Sequence, residues 1–273
     1  MRAHPVVYTG AGRGGRVFEF VRRGYWRSVR ERPGMLLVAA LLLFGSAALS
    51  ATWAWRDPDH AAGLVPAPYR VAAEPHRFDH RTGPGVSDDT GLAAEIMTNN
   101  IEVTFLAFGG GVLLGVGAAL VLLQNGVLLG ATLGLAIGAG NGRPFVELIA
   151  PHGLLELSCI VVAAAAGLRI GWAIVAPGHR HRRDSLRIEA RAAVPTIVGT
   201  ACWLVVAGLV EGFVTPARLG LAPAVMIGVA LAGVYWTLVL ALGRTRPMTR
   251  SMTSGEAARA PSAQSLAESF SLR

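Results

Sequence analysis

Glu147–Trp172, ELIAPHGLLELSCIVVAAAAGLRIGW, is the stretch that decides the fold. From Leu154 to Trp172 it is apolar apart from Glu156, Ser158 and Arg169, as a membrane-spanning helix would be. Yet Glu147, His152 and Glu156 crowd its entry, and a charge at mid-membrane costs about 2.5–3.5 kcal/mol on insertion scales. Some other part of the protein must satisfy them.

The remainder of the 273-residue chain agrees with a membrane setting. It is 52% hydrophobic and 15% charged, against about 25% charged in soluble domains, and its mean hydropathy is +0.47. The formal charge of +8 comes from arginines that flank apolar runs, with no lysine. That distribution argues against a nucleic-acid surface, which clusters basic residues on one soluble face. Cys159 and Cys202 both lie within apolar runs and read as reduced, structural residues. The first apolar run starts near Met35 and exceeds the length of a signal-peptide core, so no cleavable leader is expected.

Residues 1–15 read as a flexible terminus. Their GAGRGG satisfies a dinucleotide-loop spacing, but the βαβ unit such a loop needs is missing. Residues 16–33 place Phe18, Val21, Tyr25 and Val29 on one face and Arg23, Arg27 and Arg30 on the other, predicting a basic amphipathic helix on the membrane surface. Residues 34–243 predict six spans: about 35–55, 102–123, 126–140, 154–176, 192–214 and 221–242. An irregular outer loop, 56–98, follows the first span. Asn125-Gly126 is expected to make a tight turn between the second and third. The third run is short enough for a re-entrant loop, but parity requires it to cross. The basic segment before the first span, the loop 178–191 and the tail 244–273 then all fall on the cytoplasmic side. That tail is expected to be disordered. The fold class is thus all-α, a polytopic membrane helix bundle with an N-terminal interfacial helix.

Gly126, Gly130, Gly134 and Gly138 recur every four residues, and GVLLG occurs twice, at 111–115 and 126–130. Ridges without side chains let helices approach closely in lipid, so the second and third helices are expected to pair tightly through this one. At the opposite pole of composition stand Asn99, Asn100, Glu102, Glu147, His152, Glu156 and Glu211, all assigned to the outer half of the bundle. His152 and Glu156 are i,i+4 neighbours on one face, with Pro151 expected at the first turn of their helix. Three readings are open for this cluster: a hydrogen-bonded network that sets helix register, a site for an ion, lipid headgroup or partner segment, or catalysis. H-x-x-x-E offers too few ligands for a metal centre. Neither H-E-x-x-H nor G-x-S-x-G occurs, so no enzyme activity, metal or cofactor is expected.

Asn99-Asn100, Asn125-Gly126 and Pro151-His152-Gly153-x-x-Glu156 resemble the core signature of the stage II sporulation protein M family, over roughly 99–215. The resemblance implies a multi-pass protein of the bacterial plasma membrane. In the sporulation member, that role is to anchor peptidoglycan-degrading partners. Two functions follow as expectations. One is a non-enzymatic scaffold that recruits envelope enzymes or other membrane proteins outside and meets anionic lipids through its basic inner segments. The other is a small-solute or ion transporter or channel using the outer-leaflet polar cluster. The lipid bilayer is a partner in either case, and self-association into a homo-oligomer is a further option.

Overall fold

The computed structural model describes residues 24–74, 86–217 and 219–244; they form helices and connecting turns, with no strand among them. The expectations for 1–15, for the first part of 16–33, for the middle of the loop 56–98 and for 245–273 lie outside the described residues. Seven helices carry the fold: α1 (Tyr25–Arg30), α2 (Pro33–Arg56), α3 (Val86–Gly109), α4 (Val116–Gly138), α5 (Gly142–Val175), α6 (Arg182–Val214) and α7 (Leu221–Leu242). Five of them, α2 and α4 to α7, are long and apolar enough to cross a membrane. Asp88, Asp89, Glu95 and Glu102 lower the hydropathy of the sixth long helix, α3. It still runs beside α5, from the level of Glu156 at Asn100 to that of Gly167 at Phe108. The long helices alternate in direction around α5, whose most apolar window is 78% buried, against 22% for α2 and 17% for α7.

Several boundaries differ from the sequence reading. The turn between the second and third long helices lies at Gly110–Gly115, not at Asn125-Gly126, which is buried inside α4. Leu114 and Gly115 adopt left-handed φ values of 56° and 83° there, a conformation that suits glycine at the second position. Gly111 sits on Gly167 and Gly115 on Gly171, so closely that a Cβ at Gly111 or Gly171 would overlap the opposing backbone. The outer loop is shorter than 56–98, because α3 begins at Val86. The inner loop is shorter than 178–191, because α6 begins at Arg182, and α5 begins at Gly142, with Pro151 in its interior. Arg, Glu and Ala are good helix formers, and hydropathy alone stops at the membrane edge while the helix continues into water.

The glycine ridge also has a different partner. Gly126, Gly130 and Gly134 pack on α2, against Leu43, Ala47 and Ala51, with α2 and α4 running parallel. Nothing approaches the Cβ position of Gly138, so the ridge has three working members.

The described part of the amphipathic helix, α1, does not lie on lipid. Tyr25, Trp26 and Val29 are buried in a cluster with Leu155, Leu204 and Tyr235. The Tyr25 and Tyr235 hydroxyls lie 2.7 Å apart, and Trp203 meets Tyr235 edge-on with ring centroids at 5.3 Å. A Cβ at Gly199 would overlap the Tyr25 ring, so that glycine makes the slot for α1. Aromatic pairs of this kind contribute about 0.5–1.5 kcal/mol beyond burial. Arg169, deep in α5, finds its partners here. Its guanidinium donates to the Ser28 carbonyl at 3.2 Å and to Glu189 at 3.1 Å, and Arg32 donates to the other Glu189 oxygen at 2.7 Å.

At the opposite end, residues 57–74 fold into short helical turns that rest on α4, burying Ala61 and Val65 against Ala131 and Leu135. Asn141 pins this cap by donating to the carbonyls of Ala72 and Glu74 at 3.0 and 2.7 Å. Asn141→Ala removes both bonds, each worth about 0.5–1.5 kcal/mol net. Limited proteolysis should then cut within 57–74 several-fold faster while the helices stay protected. Unchanged cleavage would mean that apolar burial alone holds the cap. On its rim, His60 Nδ1 and Asp57 Oδ1 lie 2.8 Å apart. The hydrogen bond to Asp57 and its charge raise the His60 pKa, and the same bond lowers that of Asp57. The contact is therefore fully present between the ordinary carboxylate and imidazole ranges. It weakens as pH rises through the His60 pKa or falls through that of Asp57.

Candidate functional site

The face of α5 that carries His152 and Glu156 turns inward against α3 and α6, and both side chains are fully buried. Asn100 on α3 donates its amide N–H to Glu156 Oε2 at 2.5 Å. His152 Nδ1 lies 3.4 Å from the Thr215 hydroxyl, just past the end of α6. Because α5 and α6 are antiparallel, one turn onward from His152 and one turn back from Thr215 brings Glu156 opposite Glu211. These two carboxyl groups are within electrostatic reach of each other. Among the described residues, His152 Nε2, Glu156 Oε1 and both Glu211 oxygens are buried without a hydrogen-bond partner.

So many unpaired polar atoms in one place are unusual, since buried polar groups are nearly always bonded. Two carboxyl groups facing each other in a low dielectric cannot both carry charge without strong repulsion. Glu156 lies fourteen residues into α5, about 21 Å along it, and the dipole of a helix end acts only within its first turn.

The other expected members divide. Asn99 and Asn100 line a cavity of about 50 Å³ together with Asn125, Thr132 and Gly153, which is room for roughly three or more waters. Glu147 is apart from the cluster and accepts the Gly220 N–H at 2.9 Å, capping the entry to α7. Glu102 is exposed and joins neither group. Thr215 and Thr132 were not singled out in the sequence. For Thr215 a signal exists, because it follows Glu211 by the same four residues that separate His152 from Glu156.

Among the described residues no group of three or more His, Cys, Asp or Glu could hold a metal ion. Ser158, the nearest hydroxyl on α5, is taken up in structure: it donates to the Leu154 carbonyl at 2.8 Å and accepts from Trp236 Nε1 at 3.1 Å. What the arrangement offers chemically is a carboxyl pair and an imidazole edge buried between helices, beside a partly open cavity whose lining includes three side-chain amides.

An all-helical bundle with several membrane-crossing helices and a polar centre defines a multi-pass membrane protein. The chain belongs to the stage II sporulation protein M family: the family model, described as Stage II sporulation protein M, matches residues 35–216. That range holds the Asn99-Asn100, Asn125-Gly126 and Pro151–Glu156 motifs. An uncharacterized protein of Methanocaldococcus jannaschii is 33% identical over 81 residues, covering 29% of this chain and 45% of that protein. The match thus spans less than half of that relative's length. No solved structure matches.

Proposed function

We propose that this protein is a non-enzymatic membrane scaffold that recruits envelope enzymes of the peptidoglycan-remodelling type to its outer end. The observation that carries this reading is the cap 57–74. A connection of this kind could be a loose loop, yet Asn141 and the α4 surface hold it in one shape. A recruiting protein needs such a fixed, solvent-facing surface, because ordering a loose one on binding would cost affinity. Placing a photocrosslinker at Leu64 or Glu74, both exposed, should capture the same peptidoglycan-degrading enzyme in native membranes. Capture of lipid alone from both positions would overturn the reading.

The reading includes a sidedness, with the cap outside and both termini in the cytoplasm of a bacterial plasma membrane. Arg180, Arg182, Arg183, Arg187 and Arg191 cluster at the end away from the cap, and such clusters stay on the cytoplasmic side. In a chain lacking Cys159 and Cys202, an impermeant thiol reagent added outside should label Leu64→Cys and spare Arg183→Cys. The reverse pattern would invert the proposal.

A second reading has its own support. The Glu211 carboxyl and the Glu156 Oε1 atom, without partners among the described residues, favour an ion-coupled transporter, since intramembrane acids commonly mark ion pathways. It predicts solute or ion flux in proteoliposomes holding this protein alone, abolished by Glu156→Gln in a protein that still folds.

A further inference from the structure

Between α2, α5 and α7 a cleft of about 690 Å³ opens on the outer face of the bundle. Leu36, Ala40 and Phe44 on α2 face Val161 on α5 and Trp236 on α7, and the wall is apolar along its length. Its polar atoms are already occupied, since Trp236 Nε1 donates to Ser158. One cation stands at the end of the cleft where α1 meets α2: Arg30, half-buried, with one guanidinium nitrogen bonded to the Leu240 carbonyl. That bond orients the guanidinium, whose other donors have no partner among the described residues. Gly243 packs close to Arg30, so the exposed Arg244 follows at the same end.

The length of the cleft selects its occupant. On α2 its lining runs from Pro33 to Phe44, eleven helical steps or about 16 Å. One leaflet of a hydrocarbon core of about 30 Å has that depth, whereas a partner's transmembrane helix needs the whole of it. A chain that enters beside an arginine and stops at mid-membrane is an acyl chain, and a guanidinium at its head matches a phosphate in geometry as well as charge. We propose that this cleft binds one acyl chain of an anionic phospholipid whose phosphate is held by Arg30.

The proposal stands apart from the scaffold reading, because it concerns the lipid-facing side and the end away from the cap. Native mass spectrometry of the purified protein, with phosphatidylglycerol or phosphatidylcholine of equal chain length added, tests it. The wild type should retain one phosphatidylglycerol about tenfold more readily than phosphatidylcholine. Arg30→Gln should bring that ratio close to one, and Ala40→Phe, which fills the cleft, should lose both lipids while keeping the wild-type melting temperature. Equal retention of the two lipids by the wild type would overturn the proposal, as would an undiminished preference in Arg30→Gln. Undiminished retention in a folded Ala40→Phe protein would place the lipid elsewhere, and a disulfide-linked dimer through Leu37→Cys would put a second copy in the cleft.

Discussion

Gly130→Leu should leave no folded protein in the membrane. Even a methyl group at this position would overlap the Ala47 carbonyl oxygen and the Ser50 hydroxyl of α2. The obstacle is helix backbone, which cannot rotate away as a side-chain tip can. The two parallel helices must therefore separate along their whole contact, losing the close dispersion contacts that hold helices together in lipid. Overpacking in a tight core typically costs about 1–3 kcal/mol and occasionally more; a leucine here belongs at the upper end, against a total stability of about 5–15 kcal/mol. Gly138→Leu is the matched control. It lies one turn past Gly134 on the same ridge, but nothing stands within 4 Å of its Cβ position. Accumulation and detergent stability of Gly138→Leu should equal wild type, and Gly130→Ala should already show a loss. Wild-type levels of Gly130→Leu would mean that α2 and α4 do not touch.

The second large effect is a change of sign within one cluster. Glu156→Ala removes the acceptor of the Asn100 amide and strands that buried group, at about 1–3 kcal/mol. It should lower the melting temperature in detergent, whereas Glu156→Gln, which keeps shape and an acceptor oxygen, should be mild. Glu211→Met should instead raise it, because both Glu211 oxygens are buried without partners among the described residues and an apolar side chain of similar size removes that cost. Glu102→Ala, at an exposed position, should do nothing. Function separates the two proposed roles. In a scaffold, Glu156→Gln keeps partner recruitment; in an ion-coupled transporter it folds and is inactive. A Glu211→Met protein less stable than wild type would show that its carboxyl has a partner after all.

The cluster was partly legible in the sequence. His152 and Glu156 announce themselves by their spacing in an apolar run, and the structure does bring Asn100 and Glu211 to them. Glu102 and Glu147 looked equivalent and are not. Residue type and rough depth are readable along the chain, but the direction in which a side chain points depends on the rotation of each helix. Arg169 is a similar case: its charge stands out in the apolar run, but Glu189 is brought to it only by the return of α6.

What the chain determined by itself is an all-helical, largely apolar bundle and the place of its last span. Hydropathy depends only on which side chains follow one another, and α7 matches its expected bounds, Leu221–Leu242. Where the chain turns was decided by tertiary contact. The two copies of GVLLG have identical local propensities, yet Gly111–Gly115 makes a turn and Gly126–Gly130 is helix. The first copy lies backbone to backbone on Gly167 and Gly171, and its left-handed residues pack there; the second lies along α2, where an unbroken helix gives the closest approach. In lipid an unbroken helix satisfies its own backbone, and a turn is tolerated only where a packed neighbour or the membrane edge meets the groups it frees. The neighbour's shape, absent from the local sequence, then selects between turn and helix.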